Sequence, residues 1–163
     1  MTSTKTMIKV GIADVKVAQS LSILKTAGLG SCVGIVLYDE DKELAGLAHI
    51  MLPDSKASKN NKNVFKYADT AIDWLLEELL SKGSRRDALK AKMAGGAHMF
   101  SFKSNELMKI GERNIKSVHS KLLDYQIPLL SEDVGGSKGR TIEFDIETSM
   151  LHIKTINGVE KVI

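Results

Sequence analysis

Apolar and polar positions divide the chain into short β-like runs and two helical stretches. From Met7 to Val17 and from Ser22 to Ala27, β-formers such as Ile8, Val10, Ile12, Val15, Ile23 and Leu24 alternate or cluster, which predicts short strands. Residues 1–6 are polar and predict a disordered tail, with residues 7–163 as one domain. Next comes an apolar run, Cys32-Val33-Gly34-Ile35-Val36-Leu37-Tyr38, then the charged turn Asp39 to Glu43 and a return run from Leu44 to Leu52. That pattern predicts a β-hairpin. Pro53 ends it, because proline cannot donate to a ladder.

Residues 56–63 are polar, carry three lysines and read as a mobile loop. Ala68, Ala71, Ile72, Leu75, Leu76, Leu79 and Leu80 then recur at helical spacing and predict a helix from Tyr67 to Lys82, with Gly83 as its stop. Ala91 to Ala94 predict a strand that runs into the tight loop Gly95-Gly96. A second helix is expected from Ile110 to Tyr125, with Ile115, Val118, Leu122 and Leu123 on one face and Gly111 weakening its first turn. Strands follow at 128–133, 140–146 and 150–156, with the turn cluster Gly135-Gly136-Ser137-Lys138-Gly139 between the first two. Many strands and two main helices predict a single α/β domain with mixed or antiparallel pairing.

Composition narrows the function classes. With 163 residues, 43% hydrophobic and 26% charged, the chain is long enough to bury a core without covalent staples. A net charge of +3 suits an acidic partner, but few aromatics and no clustered basic stripe argue against nucleic-acid binding. One cysteine cannot form an internal disulfide, and the start lacks the apolar core of a signal peptide, so a cytoplasmic location is expected. His98, His119 and His152 have no metal-ligand spacing, so no metal is expected. The glycine clusters lack the spacing of a nucleotide loop and read as turns or site lining, so no organic cofactor is expected either.

The candidate chemistry centres on Cys32. With the hairpin turn centred near Glu40-Asp41, Cys32 lies opposite His49. Directly opposed residues have Cβ atoms roughly 5 Å apart on one face. A one-residue slip would place the two on opposite faces. A free cysteine by itself reads as a small buried hydrophobe. Two neighbours favour a nucleophile: the Gly28-Leu29-Gly30-Ser31 turn before it, whose N–H groups can converge, and the imidazole across the hairpin. Gly30 and Ser31 are the turn candidates for an oxyanion hole. Thr26 reads first as an ordinary β-branched strand residue; its functional reading is a hydroxyl that orients the imidazole. Glu132-Asp133 is a possible carboxylate pair without supporting geometry, Glu77-Glu78 a solvated face. Met99, Phe100 and Phe102 read either as an exposed apolar tip for a partner or as buried residues.

These blocks carry a family resemblance. Thr26-Ala27-Gly28-Leu29-Gly30-Ser31-Cys32-Val33-Gly34, followed by Gly46-Leu47-Ala48-His49-Ile50-Met51-Leu52-Pro53, resembles the signature of the CheD family of bacterial chemoreceptor glutamine deamidases. Further agreement lies at Lys66-Tyr67-Ala68-Asp69, at Lys92 to Phe100, at Ile110-Gly111-Glu112-Arg113-Asn114, at Glu132 to Gly136 and at Gly139-Arg140. The resemblance implies a layered sandwich of two mixed β-sheets flanked by helices, like the catalytic domain of cytotoxic necrotising factor toxins. It implies hydrolysis of selected glutamines to glutamate on methyl-accepting chemotaxis receptors, with Cys32, His49 and Thr26 as a triad and no cofactor. It also implies a partner, the CheC-type chemotaxis phosphatase; a monomer is the default expectation, meeting the membrane only through receptors. Lys56, Lys59 and Lys62 would help its approach to acidic receptor helices. A mainly non-catalytic adaptor regulating that phosphatase is the alternative reading, and a transglutaminase or deamidase with another protein substrate is a further one.

Overall fold

The computed structural model describes residues 4–57, 62–98 and 109–163. Within them the strands are β1 (Thr6–Lys9), β2 (Asp14–Gln19), β3 (Ser22–Leu29), β4 (Val33–Asp39), β5 (Leu44–Ile50), β6 (Lys90–Gly95), β7 (Leu129–Val134), β8 (Arg140–Asp145), β9 (Met150–Thr155) and β10 (Glu160–Val162). The helices are α1 (Ala68–Ser81) and α2 (Ile110–Asp124). Two five-stranded sheets form, in the orders β1-β3-β8-β9-β10 and β2-β5-β4-β6-β7. Each is mixed: β1 runs parallel to β3 and β6 to β7, while the other pairs are antiparallel.

Burial explains why the strands read differently in the sequence. The second sheet is covered on both faces, so β4 and β5 are buried at every position and appear as unbroken apolar runs. On its outer face Ile35, Leu37, Ala48 and Ile50 share one core with Ile72, Leu75 and Leu79 of α1 and Val118 and Leu122 of α2. On its inner face Val36, Tyr38, Ala45 and Leu47 meet Leu24, Ile142, Phe144, Leu151 and Ile153 of the first sheet. The first sheet is buried on that side only, and β8 and β9 alternate accordingly.

The predicted fold class holds, with local corrections. The stretch 7–17 is two strands in different sheets, parted by a turn in which Ala13 has φ 56°. The first strand begins at Thr6, and Lys5 pairs with Asp145 at 2.5 Å, so order reaches into the expected tail. Leu80 and Leu123 are exposed, on the edge of their helices' apolar stripes. Strand β10 has no apolar pattern because all three of its residues are exposed; it is held by pairing with β9. Residues 58–61 of the expected loop, and Met99, Phe100 and Phe102, lie outside the described residues.

Candidate active site between the two sheets

The hairpin register differs from the expected one by two residues. Val33 pairs with Ile50 and Gly34 with His49. The turn spans residues 40–43 and closes on Glu43 at φ 49°, so its centre falls one residue later than Glu40-Asp41. A shift of two preserves the face. Cys32 and His49 therefore lie on the inner face of the second sheet as diagonal neighbours. The slot directly opposite His49 belongs to Gly34, where a Cβ would come within 2.7 Å of Ile142 Cδ1. The glycine lets Ile142 and Leu29 of the facing sheet approach the strand at this point.

His49 is fully buried and Thr26, on β3 of the facing sheet, nearly so. Thr26 Oγ1 lies 2.7 Å from His49 Nδ1 and 2.7 Å from the carbonyl oxygen of Val10. A hydroxyl has one proton, and the Val10 carbonyl can only accept. The Thr26 hydroxyl thus donates to Val10 and accepts from His49 Nδ1–H. This fixes the tautomer: Nε2 carries the free lone pair, and it is buried without a hydrogen-bond partner among the described residues. Burial lowers the His49 pKa to about 4. Cys32 is half-buried, and desolvation raises its thiol pKa, partly opposed by its own backbone N–H. Both shifts favour a neutral thiol beside a neutral imidazole at pH 7.

The loop before Cys32 is tied down by its carbonyls. Ala97 N donates to Gly30 O at 2.8 Å, and Gly96 N to Cys32 O at 2.9 Å. Gly95, at φ 116°, must be glycine, because a Cβ there would sit 2.3 Å from Cys32 O. The Gly30 N–H is already engaged, donating to Gly28 O at 3.1 Å. The glycine turn 135–136 closes the same end of the molecule, with Gly135 N bonded to Gly95 O and His98 N to Gly136 O. Glu132 and Asp133 do not act as a carboxylate pair here. Glu132 meets His119 at 2.9 Å, while Asp133 is held by Arg140 and Lys161. A broad concavity on the outer face of the first sheet, lined by Lys25, Glu143, His152 and Lys154, includes none of Cys32, His49 and Thr26.

Sequence reasoning did not single out Val10, whose contribution is a main-chain carbonyl with no side-chain signature. It also gave no role to Asn114, which is completely buried and donates through Nδ2 to Ser31 O at 2.9 Å and Met51 O at 3.0 Å. One signal was available: Asn114 falls four residues before Val118 on the apolar face of α2, where a polar side chain must have partners.

Comparison with known proteins adds a second line. Residues 51–155 match the family model described as CheD chemotactic sensory transduction. That span begins just after His49, but full-length relatives cover the hairpin as well. The chain is 54% identical over 164 aligned positions to the chemoreceptor glutamine deamidase CheD of Bacillus subtilis, covering 99% of each chain. It is 57% identical to the protein of the same name from Halalkalibacterium halodurans, covering 96% of this chain and 98% of that one. It is 51% identical to the probable chemoreceptor glutamine deamidase CheD of Lachnoclostridium phytofermentans, at the same coverage. Among the described residues, no helix is long and apolar enough to cross a membrane.

Proposed function

The chain belongs to the CheD family, and from that premise we propose that it hydrolyses glutamine side chains of chemotaxis receptors to glutamate, with Cys32 as nucleophile, His49 as base and Thr26 as the residue that orients the imidazole. The carrying observation is the Val10–Thr26–His49 chain of hydrogen bonds, which leaves Nε2 bare and on the same face as Cys32.

The chemistry is an acyl transfer through a thioester. His49 Nε2 takes the Cys32 proton as the thiolate attacks the carboxamide carbon. The resting pair is neutral, so proton transfer accompanies attack and no standing ion pair is required. Main-chain N–H groups of Ser31 and Cys32 face the developing oxyanion; Gly30, with its N–H engaged, serves the turn. The imidazolium then protonates the departing ammonia, leaving a glutamyl thioester. A water activated by the same nitrogen attacks the thioester carbonyl, glutamate is released, and the proton returns to the thiol. Each proton moves through one nitrogen, and no metal or organic cofactor enters the scheme.

The product carboxylate adds one negative charge to a receptor helix. The protein acts as a monomer in the cytoplasm, where receptor signalling domains lie. Mass spectrometry of a receptor cytoplasmic fragment incubated with wild type, Cys32→Ala and His49→Ala tests the reading. Deamidation appears as a gain of about 1 Da at glutamine, with wild type only. An added amine donor incorporated at glutamine would instead identify a transglutaminase. No mass change in a fragment that binds would favour the adaptor role with a CheC-type phosphatase.

A further inference from the structure

Three consecutive carbonyls on the approach to Cys32 are held from inside the molecule, and only the middle one by a side chain. Gly30 O is taken by Ala97 N and Cys32 O by Gly96 N. Ser31 O is taken by Asn114 Nδ2, at 2.9 Å. The same amide nitrogen reaches Met51 O, at 3.0 Å. By continuation of the β4–β5 register, Met51 stands across from Cys32. One side-chain amide thus clamps both strands where the hairpin opens around the candidate site.

The amide orientation is unambiguous. Both partners are carbonyls, which accept only, so the group facing them must be the NH2. Among the described residues, Asn114 Oδ1 is left buried with no partner. An unpaired buried acceptor is unfavourable, and a leucine of similar size would avoid it on the apolar face of α2. The amide is therefore explained by its two donated bonds.

The consequence reaches Cys32 through peptide geometry. In a trans peptide the C=O of one residue and the N–H of the next point in opposite directions. Anchoring Ser31 O toward α2 turns the Cys32 N–H away from α2. Among the described residues that N–H donates to no backbone carbonyl. It acts on its own thiol, favouring the thiolate. An N–H beside the nucleophile that no carbonyl claims is the geometry an oxyanion hole requires.

We propose that Asn114 is a positioning residue: it fixes the Ser31–Cys32 peptide so that the Cys32 N–H meets the oxyanion formed on the substrate carboxamide. The inference rests on the Cys32 acyl-transfer reading above. It assigns Asn114 to stabilising the tetrahedral intermediate and leaves thiol ionisation to His49.

Two reactions of one thiol separate these roles. Deamidation of a receptor fragment passes through an oxyanion; alkylation by iodoacetamide displaces iodide at carbon and forms none. In Asn114→Leu, kcat for deamidation should fall about 10- to 100-fold, below the roughly 10²–10³ seen when a donor is removed outright. KM should stay within about twofold of wild type, and the alkylation rate of Cys32 should fall far less than kcat, because the peptide touches the nucleophile only through the modest help its N–H gives the thiolate. Asn114→Asp keeps the shape and carries the same test if the leucine variant does not fold. Its ionised carboxylate repels both carbonyls, so kcat should be low at pH 8 and recover toward lower pH, where the protonated acid can donate one bond. Unchanged kcat in both variants overturns the inference, as does an equal loss of deamidation and alkylation in both. If Cys32→Ala still deamidates, the underlying nucleophile assignment fails instead, which is a separate result.

Discussion

Thr26 Oγ1 and His49 Nδ1 lie 2.7 Å apart although the two residues belong to different sheets. The bond crosses the core interface, and its direction is set by a third group, the Val10 carbonyl, which claims the hydroxyl proton. A neutral hydroxyl cannot stabilise imidazolium as a carboxylate does, but it can select the tautomer. Tautomer selection is what a base with a bare Nε2 needs.

Thr26→Val tests that assignment with nearly unchanged shape. The valine leaves His49 Nδ1–H and Val10 O unpaired, which costs about 1–3 kcal/mol of stability. It also frees the imidazole to place its proton on Nε2, where it cannot act as base. General acid–base catalysis contributes roughly 10²–10⁴-fold, so kcat should drop about 10- to 100-fold as the productive tautomer is diluted. Thr26→Ser keeps the hydroxyl and should retain most of the activity. Receptor-fragment kinetics on the two variants decide the matter; equal activity in valine and serine forms would remove Thr26 from the mechanism.

The two perturbed groups predict an unusually broad pH–rate profile. His49 is lowered to about 4 by burial, so its base form persists well below the ordinary histidine range. Cys32 is raised by desolvation, so the alkaline limb lies above the ordinary thiol value. With the proposed neutral pair as the reactive resting form, kcat/KM should be flat from about pH 5 through the ordinary thiol range, with one limb below and one above that window. Thiolate absorbance near 240 nm should be absent at pH 7. A thiolate band at neutral pH would show that the site rests as an ion pair, and an acid limb near 6.5 would show that His49 titrates as an ordinary imidazole and is not shifted by burial.

Much of this arrangement was legible in the sequence, and the shortfalls have physical causes. The hairpin, both helices and the grouping of Cys32 with His49 on one face follow from apolar runs and a charged turn. The register slipped by two because a four-residue turn with Glu43 in the left-handed region looks, in sequence, like any cluster of acidic residues. Two steps preserve the face, so Cys32 and His49 stay on the same side of the sheet. The split of residues 7–17 between two sheets was not legible, since β-formers continue on both sides of the break. Val10 acts through its backbone, which no residue type announces. Asn114 was visible as a polar residue on an apolar helical face, but its partners lie 83 and 63 positions away.

His49 also links stability to pH. Its unfolded pKa is the ordinary 6.5 and its folded pKa about 4, so below pH 6.5 the unfolded chain binds more protons. Stability from this group is therefore fully present above pH 6.5 and is lost as pH falls toward 4. The slope approaches 1.36 kcal/mol per pH unit, and the loss across the window is on the order of 3 kcal/mol. Urea unfolding of wild type and His49→Gln between pH 4 and pH 7 isolates the effect, because other titrating groups are common to both. The wild-type curve should be steeper in this window, and parallel curves would mean that His49 is not buried in its neutral form.

Gly111→Ala sets two known effects against each other at the base of α2. On helix propensity alone, alanine gains roughly 0.8–1 kcal/mol over glycine. The structure predicts the opposite outcome. A Cβ at Gly111 would come within 2.6 Å of both Ala97 O and Gly96 O, which are backbone atoms and cannot rotate away. Relieving the clash means moving α2 outward, and overpacking of this kind costs about 1–3 kcal/mol. The Gly96–Ala97 segment that would be pushed back holds the Cys32 and Gly30 carbonyls, so the strain is passed directly to the loop before Cys32. Chemical denaturation should show a net loss of up to about 2 kcal/mol, with kcat reduced in the same variant. A Gly111→Ala protein more stable than wild type would mean that α2 does not make this close backbone approach, and the distances from Asn114 to Ser31 and Met51 would then have to be redrawn with it.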